Sequence, residues 1–492
     1  MDEVQDSPAP FLSSPTQQLS ALHHRHARGT DLGPGQPIAR SLYNGAVDYA
    51  QAIQYLLSLT DMERGFQASA NPTMSLGSVR SLLSRLNDPH LGRGTVHVTG
   101  SKGKGSTSAM IAGILLRNEE SVALFTSPHL HSFTERIALD GDSISPEEFA
   151  AGLEAIHTAV EAERESVHGN VSTFGVLTAL FFWLVRAQAR RIDWQVVEVG
   201  LGGSYDATNV FETPDVVVIT PVSLEHTAIL GKTPEAIARD KSGIIKAGCT
   251  CVLAPQRDPA VIAVVRERCA LVGAKLVDVG ELYEALPLER FPFGQSFVLH
   301  GPLGTREMRT PMLGEHQLSN AATAVAVAEA LRARGHAISE AAIIDGIAHT
   351  RIPGRLEVMG QKPLIVADGA HNGESAEALA NALKEYFTWR RLFLVIGVTE
   401  DKDVRAMGFK LARLAELIVC TGFSNPRSRD PYDIVQEIGF LGPAAVAEMT
   451  VSDALETALS HADVEDVVCI TGSLYVVAEA REIILGDSVL RA

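Results

Sequence analysis

The sequence predicts an α/β protein: a mostly parallel sheet domain built around a glycine-rich loop, followed by a smaller C-terminal α/β domain. Three observations predict it. Short, continuous, β-branched runs recur along the chain and suit strands buried on both faces of a parallel sheet. Helical patterns fall between those runs. The alternation then restarts after a proline-glycine junction, Ile352-Pro353-Gly354-Arg355.

Taken in order, residues 1–44 read as a flexible tail. They are polar, carry Pro8, Pro10, Pro15 and the cluster His23, His24 and His26, and lack the apolar core of a secretory signal. Strand-like runs follow at 96–99, 122–125, 194–199, 216–220 and 251–254. One helix opens at Ser145-Pro146-Glu147-Glu148. Ser145 is its N-cap, Pro146 takes the first helical position, and Glu148 can close a capping box. Thr233-Pro234-Glu235 opens another by the same logic. Between Phe291 and Leu313, the residues Gly301, Pro302 and Gly304 separate extended runs and predict an antiparallel hairpin. Helical patterns come next, near 316–334 and 338–349. Beyond the junction, strand-like runs recur at 364–367, 392–396, 417–420 and 467–470. The predicted organisation is a tail over 1–44, a central domain over 45–350 and a C-terminal domain over 351–492.

The chain has 492 residues, 46% of them hydrophobic and 21% charged, an ordinary globular composition. Lys plus Arg total 42 against 59 for Asp plus Glu, giving a formal net charge of −17. Such a surface argues against broad nucleic-acid binding, which needs a basic footprint. Anionic ligands would have to be held by local positive sites: a helix N-terminus, a lysine or a metal ion. The five cysteines, Cys249, Cys251, Cys269, Cys420 and Cys469, are too few and scattered for a disulfide framework. Cys249 and Cys251 read as small apolar side chains of a buried strand. The longest apolar run, 176–185, is too short to span a bilayer. The expected location is cytoplasmic, with no membrane partner.

The strongest local signal runs from Thr95 to Thr107: a strand, then Gly100-Ser101-Lys102-Gly103-Lys104-Gly105, then a helix beginning near Ser106. Glycines let the backbone curl so that successive N–H groups point at phosphate oxygens. The helix start adds partial positive charge. Lys104 can reach the β- and γ-phosphates of a nucleotide, and the hydroxyl of Ser106 or Thr107 can bind Mg²⁺. The spacing departs from the ordinary P-loop, because Gly105 intervenes between the lysine and the hydroxyl residue.

With that extra glycine, Gly100-Ser101-Lys102-Gly103-Lys104-Gly105-Ser106 resembles the P-loop of the folylpolyglutamate synthase and dihydrofolate synthase family, among the Mur-ligase-like ATP-dependent amide ligases. Other motifs resemble that family in the same order, from about residue 45 onward. They are Ser127-Pro128-His129-Leu130 with Glu135-Arg136-Ile137, then Glu198-Val199-Gly200-Leu201-Gly202-Gly203 with Asp206-Ala207-Thr208-Asn209. Glu225-His226-Thr227 and Asp240-Lys241-Ser242-Gly243-Ile244-Ile245-Lys246 follow. Last come Gly314-Glu315-His316-Gln317 with Asn320-Ala321-Ala322, Pro353-Gly354-Arg355 and Asp368-Gly369-Ala370-His371-Asn372.

The resemblance implies roles. Lys104 and its loop, with Gly100, Gly103, Gly105, Ser106 and Thr107, would hold the ATP phosphates. Ser106, Ser127, Glu198 and His226 look like Mg²⁺ ligands. Lys241 is similar to a family lysine that carries a carbamate, which would make it a further metal ligand. Asn320, Arg355 and Asp368 match ATP-contacting positions, the last two from the C-terminal domain. Ser127, Pro128 and His129 fall in a substrate-contacting segment, and Tyr205, Asp206 and Ala207 match a pterin-contacting one. Two positions depart from the family: Ser204 stands where arginine is usual, and Gly175 where glutamate is common.

The chemistry explains such residues. Amide formation from a carboxylate is uphill in water, and ATP drives it by phosphorylating the carboxylate. Both steps build charge on crowded oxygens, which Mg²⁺ and Lys104 can neutralise. Glu198 ends an apolar strand at the ligand edge of a parallel sheet, where an unpaired carboxylate would be costly. His226 follows the run 216–220 at the same edge. Lys241 lies in a predicted helical stretch, 233–245, where burial would lower its pKa and favour a neutral amine able to capture carbon dioxide. Asp368 can accept hydrogen bonds from a ribose, and His371 can position a phosphate or substrate as part of the catalytic set with Lys104, His226 and Lys241. The expected protein is a monomeric ATP- and Mg²⁺-dependent ligase that joins L-glutamate to dihydropteroate or a tetrahydrofolate. A peptidoglycan-precursor ligase of the Mur type and a non-ligating ATP-binding regulatory protein are the alternatives.

Overall fold

The computed structural model describes residues 47–59, 72–169 and 171–486. The predicted tail and its histidines lie outside the described residues.

Eight strands form the first sheet: β1 (Gly94–Thr99), β2 (Val122–Phe125), β3 (Ile137–Leu139), β4 (Asp142–Ser143), β5 (Trp194–Glu198), β6 (Val216–Ile219), β7 (Thr250–Leu253) and β8 (Lys275–Asp278). Their order is β4-β3-β2-β5-β1-β6-β7-β8. The pairs from β2 through β8 are parallel, and β3 and β4 extend the sheet antiparallel. β5, β6 and β7 are buried at every position, as continuous apolar runs require when both faces are covered.

Two helices that are apolar all round explain how the faces are covered. Thr173–Ala187 is buried along almost its whole length, and Glu315–Ala333 is buried from Gln317 to Leu331 with few breaks. The second packs with helices Lys104–Arg117 and Glu340–His349 in one core cluster against β1, β5 and β6. Ser145 caps its helix with the full capping box, and Thr233 caps the helix Pro234–Lys241.

The predicted hairpin is part of a larger unit. β9 (Glu284–Phe291), β10 (Gly294–Gly301) and β11 (Gly304–Thr310) form a three-stranded antiparallel sheet. β9 gives no strand signal because it is an exposed edge carrying Pro287 and charged residues.

A second sheet follows, from β12 (Glu357–Gln361), β13 (Leu364–Ala367), β14 (Leu392–Ile396), β15 (Leu417–Thr421), β16 (Ala444–Glu448) and β17 (Val467–Thr471). Its order is β12-β13-β17-β14-β15-β16. Only the β12–β13 pair is antiparallel. Cys420 and Cys469 are buried on β15 and β17, while Cys249 and Cys251 are buried at β7. No described helix is long and apolar enough to cross a membrane.

Candidate active site

The site gathers at the carboxyl ends of β1, β5 and β6, where ligands bind in open parallel sheets. The helix after β1 begins at Lys104, two residues before the predicted start, with Gly103 as its cap at φ +80°. Gly103 faces Asn320 of the buried helix Glu315–Ala333. A Cβ there would stand 2.5 Å from Asn320 Oδ1. That oxygen also accepts from Thr107 Oγ1 at 3.4 Å, while Asn320 Nδ2 donates to Gln317 Oε1 at 2.9 Å. Gly100 is crowded in the same way by Thr220 at the end of β6. The loop is therefore shaped by glycines on one side and a buried amide on the other, and Lys104 Nζ rests on Gly100 O at 3.2 Å.

Glu198, at the end of β5, is 3% exposed and turns its carboxylate toward the loop, 3.5 Å from where a Cβ of Gly105 would sit. Ser127 N donates to its Oε2 at 3.0 Å. Burial raises its pKa, while Lys104, Ser127, Arg355 and Arg136 oppose that rise. A buried carboxylate near cations but in no ion pair among the described residues suits a bound divalent ion.

Lys241 is 1% exposed. Its ammonium donates to Gly100 O at 2.9 Å and to Glu225 Oε1 at 2.8 Å. Its partner is thus Glu225 rather than the neighbouring Asp240. Burial lowers the Lys241 pKa, partly countered by Glu225. Glu225 is itself held below its usual range, because Lys241 and Lys104 outweigh its own burial. The α-helix stops at Lys241 and a 3₁₀ turn, Ser242–Ile244, continues it, so the predicted single helix over 233–245 is two short pieces. His226 follows Glu225 in the left-handed region at φ +43°. Desolvation lowers its pKa, and Glu225, Lys104, Lys241 and Lys402 are its charged neighbours. Gly100 O thus accepts from both Lys104 and Lys241, and Lys241 in turn carries Glu225, so the two lysines meet on the loop after β1 with Glu198, Glu225 and His226 among the charged neighbours of Lys104.

The loop after β2 closes a second side. Glu135 accepts from Leu130 N, His131 N and Ser132 N, each at 2.7 Å. Arg136 donates to His129 Nδ1 at 2.9 Å, and the His129 ring packs on Phe133 with centroids 4.3 Å apart. Pro128 is exposed at its tip.

From the second sheet, Arg355 is exposed and charged toward the cleft, lowering the pKa of His316 together with burial, to about 4. Asp368 is half-buried after β13, accepting from Leu356 N at 2.8 Å and Ala370 N at 2.9 Å. Burial raises its pKa against the pull of Arg355. His371 Nδ1 lies 2.9 Å from Gly369 O, so Nδ1 carries the proton and Nε2 is left as an acceptor. Burial lowers its pKa, with Lys402, Lys102 and Arg355 adding to the effect. Lys102 reaches Glu374 of the second unit at 3.6 Å. In a chain of charge −17, this crevice collects lysines and an arginine.

Residues 205–207 divide by exposure. Tyr205 is 49% exposed, whereas Ala207 is buried. Asp206 is committed to its own loop, accepting from Leu201 N, Thr208 N and Thr208 Oγ1. Ser204 donates to Asp240 O at 2.8 Å and packs on Gly243. Gly175 lets its helix approach Val79, where a Cβ would meet the valine at 2.9 Å. Sequence reasoning did not single out Glu225 or Lys402. Glu225 had a signal, since it adjoins His226; Lys402 had none, because it arrives from a loop of the other sheet.

Among the described residues no three His, Cys, Asp or Glu side chains converge to hold a metal by themselves. Glu198 offers carboxylate oxygens beside the glycine-rich loop, and Mg²⁺ is held by such oxygen donors when phosphate and water complete its shell. A separate cavity of about 270 Å³, lined by Gly248, Thr250, Lys275 and Arg334, lies at the opposite edge of the sheet and away from these groups.

The Mur ligase middle domain matches residues 98–328, and the Mur ligase glutamate ligase domain matches residues 354–474. The chain is 34% identical over 412 residues to a dihydrofolate synthase/folylpolyglutamate synthase of Bacillus subtilis, covering 83% of this chain and 94% of that one. An Escherichia coli protein of the same name is 33% identical over 392 residues, covering 79% and 86%. Among solved structures, Mycobacterium tuberculosis folylpolyglutamate synthase complexed with ADP and AMPPCP superposes with a TM-score of 0.77 at 31% identity, covering 88% of this chain and 99% of that one. The E. coli FolC complex with DHPP and ADP gives 0.77 at 28% identity, covering 91% and 99%.

Proposed function

This chain belongs to the dihydrofolate synthase/folylpolyglutamate synthase family, built from Mur ligase domains, and on that premise we propose that it is an ATP-dependent ligase joining L-glutamate to a folate-type carboxylate. Both activities, on dihydropteroate and on tetrahydrofolates, belong to the reading. The observation that carries it is the convergence of Lys104, Glu198, Glu225, His226 and Lys241 on the loop after β1.

ATP lies between a central domain, 45–350, and a C-terminal domain, 351–492. The N–H groups of 100–107 and Lys104 bind its phosphates, and Asn320 fixes the loop that presents them. Arg355 and Asp368 reach it from the other domain. Ser106, Ser127, Glu198 and His226 would hold Mg²⁺, which when bound would neutralise charge on the phosphate oxygens. The acceptor carboxylate attacks the γ-phosphorus and ADP leaves. The resulting acyl phosphate is attacked by the glutamate amine, releasing phosphate. Lys104 and Arg355 stabilise the charge that builds in both steps. His371 Nε2, left as an acceptor, orients the incoming amine through its N–H. If the neutral Lys241 amine captured carbon dioxide and lost a proton, the resulting carbamate would place an anion near Glu225, a charge that a bound divalent ion would offset. Tyr205 offers an exposed ring to the pterin, with Asp206 and Ala207 shaping the loop beneath it, and Ser127, Pro128 and His129 border the acceptor. The protein acts as a cytoplasmic monomer.

Initial rates with dihydropteroate or tetrahydrofolate, Mg-ATP and glutamate test the reading. ADP release that requires both acceptor and glutamate supports it. Turnover indifferent to either, or tight ATP binding without turnover, removes it.

A further inference from the structure

We infer that His131 is a positioning residue, tying the loop after β2 to the turn Pro353-Gly354-Arg355 of the other domain through Arg481 and Glu357. The inference rests on the reading of Arg355 as an ATP contact.

The main chain of His131 is fixed to its own domain, since its N–H donates to Glu135 Oε1 at 2.7 Å. Its side chain is 7% exposed and points the other way, into the last helix, Leu474–Leu485. Arg481 NH1 lies 2.6 Å from His131 Nε2, and His131 Nδ1 lies 3.1 Å from Glu482 Oε1. A guanidinium can only donate, so Nε2 accepts and Nδ1 carries the proton toward the glutamate. The ring is thus held on both nitrogens by the second domain.

Arg481 passes the contact on. Its Nε and NH2 donate to the two oxygens of Glu357 at 2.7 and 3.1 Å, a planar fork that fixes orientation as well as distance. Glu357 Oε2 also accepts from Gly354 N at 2.7 Å. Gly354 sits at φ +69° with Leu130, the residue before His131, 3.6 Å from where its Cβ would be. Arg355 follows directly, and Glu198, one of its charged neighbours, is bonded to Ser127 N at the start of the loop that carries His131. The contacts therefore run unbroken from His131 through Arg481 and Glu357 to Gly354, and Arg355 is the next residue. Shifting His131 shifts the backbone that carries Arg355 relative to Glu198. Networks of this kind transmit position when each link is a specific contact.

The test uses the full chain and the variants His131→Leu, Arg481→Met, the double variant and His131→Gln, whose amide oxygen can still accept from Arg481. Rates are read as kcat and KM for Mg-ATP, and folding is checked by thermal melting. Each single loss should lower kcat about tenfold, the double no further, and His131→Gln should stay within about threefold of the parent. Backbone hydrogen exchange in the ligand-free protein reads the same coupling without turnover: His131→Leu should speed exchange at Gly354. Multiplying rate effects, or unchanged exchange at Gly354, overturns the inference. If the parent itself shows no glutamate-dependent turnover, the functional reading fails, and hydrogen exchange alone decides the coupling.

Discussion

Replacing Gly103 with alanine is the sharpest probe of how the glycine-rich loop after β1 is built. The residue sits at φ +80°, ψ 0°, a conformation that costs an L-residue about 1–2 kcal/mol. The new Cβ would stand 2.5 Å from Asn320 Oδ1, so one of the two must move. Asn320 is 4% exposed and bonded to Thr107 and Gln317. Moving it puts those two bonds at risk, at roughly 0.5–1.5 kcal/mol each. The sum is about 2–5 kcal/mol, shared between lost stability and a displaced loop. Thermal melting and KM for Mg-ATP measure the two shares. The overlap also makes a coupling claim: in Gly103→Ala/Asn320→Ala the clash is gone, so the double variant should lose less than the sum of the singles. Additive losses, or a Gly103→Ala protein with parental melting and parental KM, would refute the packing argument.

Other perturbations follow from the same geometry. Glu198→Gln should abolish turnover yet raise the melting temperature of the ligand-free protein. Burial raises its carboxyl above the usual carboxylate range, so the ionised form is a cost to folding. That cost is absent below the ordinary carboxylate range and grows as pH rises to and through the raised value; the stabilisation by glutamine should therefore vanish in acid, as melting curves across pH will show. Lys241→Met should lower kcat by about a hundredfold or more and also destabilise the fold, because it leaves Glu225 without its cation; adding Glu225→Gln should restore melting but not activity. Arg355→Ala should weaken Mg-ATP binding by about tenfold while leaving melting unchanged, since the side chain is exposed, and calorimetric titration reads it. Chelating divalent ions should abolish ADP release, with Mg²⁺ restoring it.

Much of the fold is legible in the sequence because both parallel sheets are buried on two faces. Runs such as Val122–Phe125 and Leu392–Ile396 leave no period-two alternation and few alternatives. Ser145 and Thr233 announce their helices because capping is local chemistry. What escapes is set by tertiary pairing: β9 is an exposed edge, and β3 and β4 are too short to show a pattern. The same division holds in the site. The loop after β1 can be read because strand, glycines, lysine and helix are contiguous. The Lys241–Glu225 pair joins side chains from separate segments, and the charge sequence alone points equally to Asp240. The crossing contacts of Lys102 and Arg481, and the nearness of Lys402 to His226, depend on how the two sheets face one another, which no local pattern encodes.

The most direct measurement follows the acceptor itself. With Mg-ATP, glutamate and a dihydropteroate or tetrahydrofolate acceptor, chromatography and mass spectrometry should find one added glutamyl group for each ADP released, and Lys104→Met should stop both together. ADP formed without any glutamylated product, or product formed as readily without Lys104, would contradict the account.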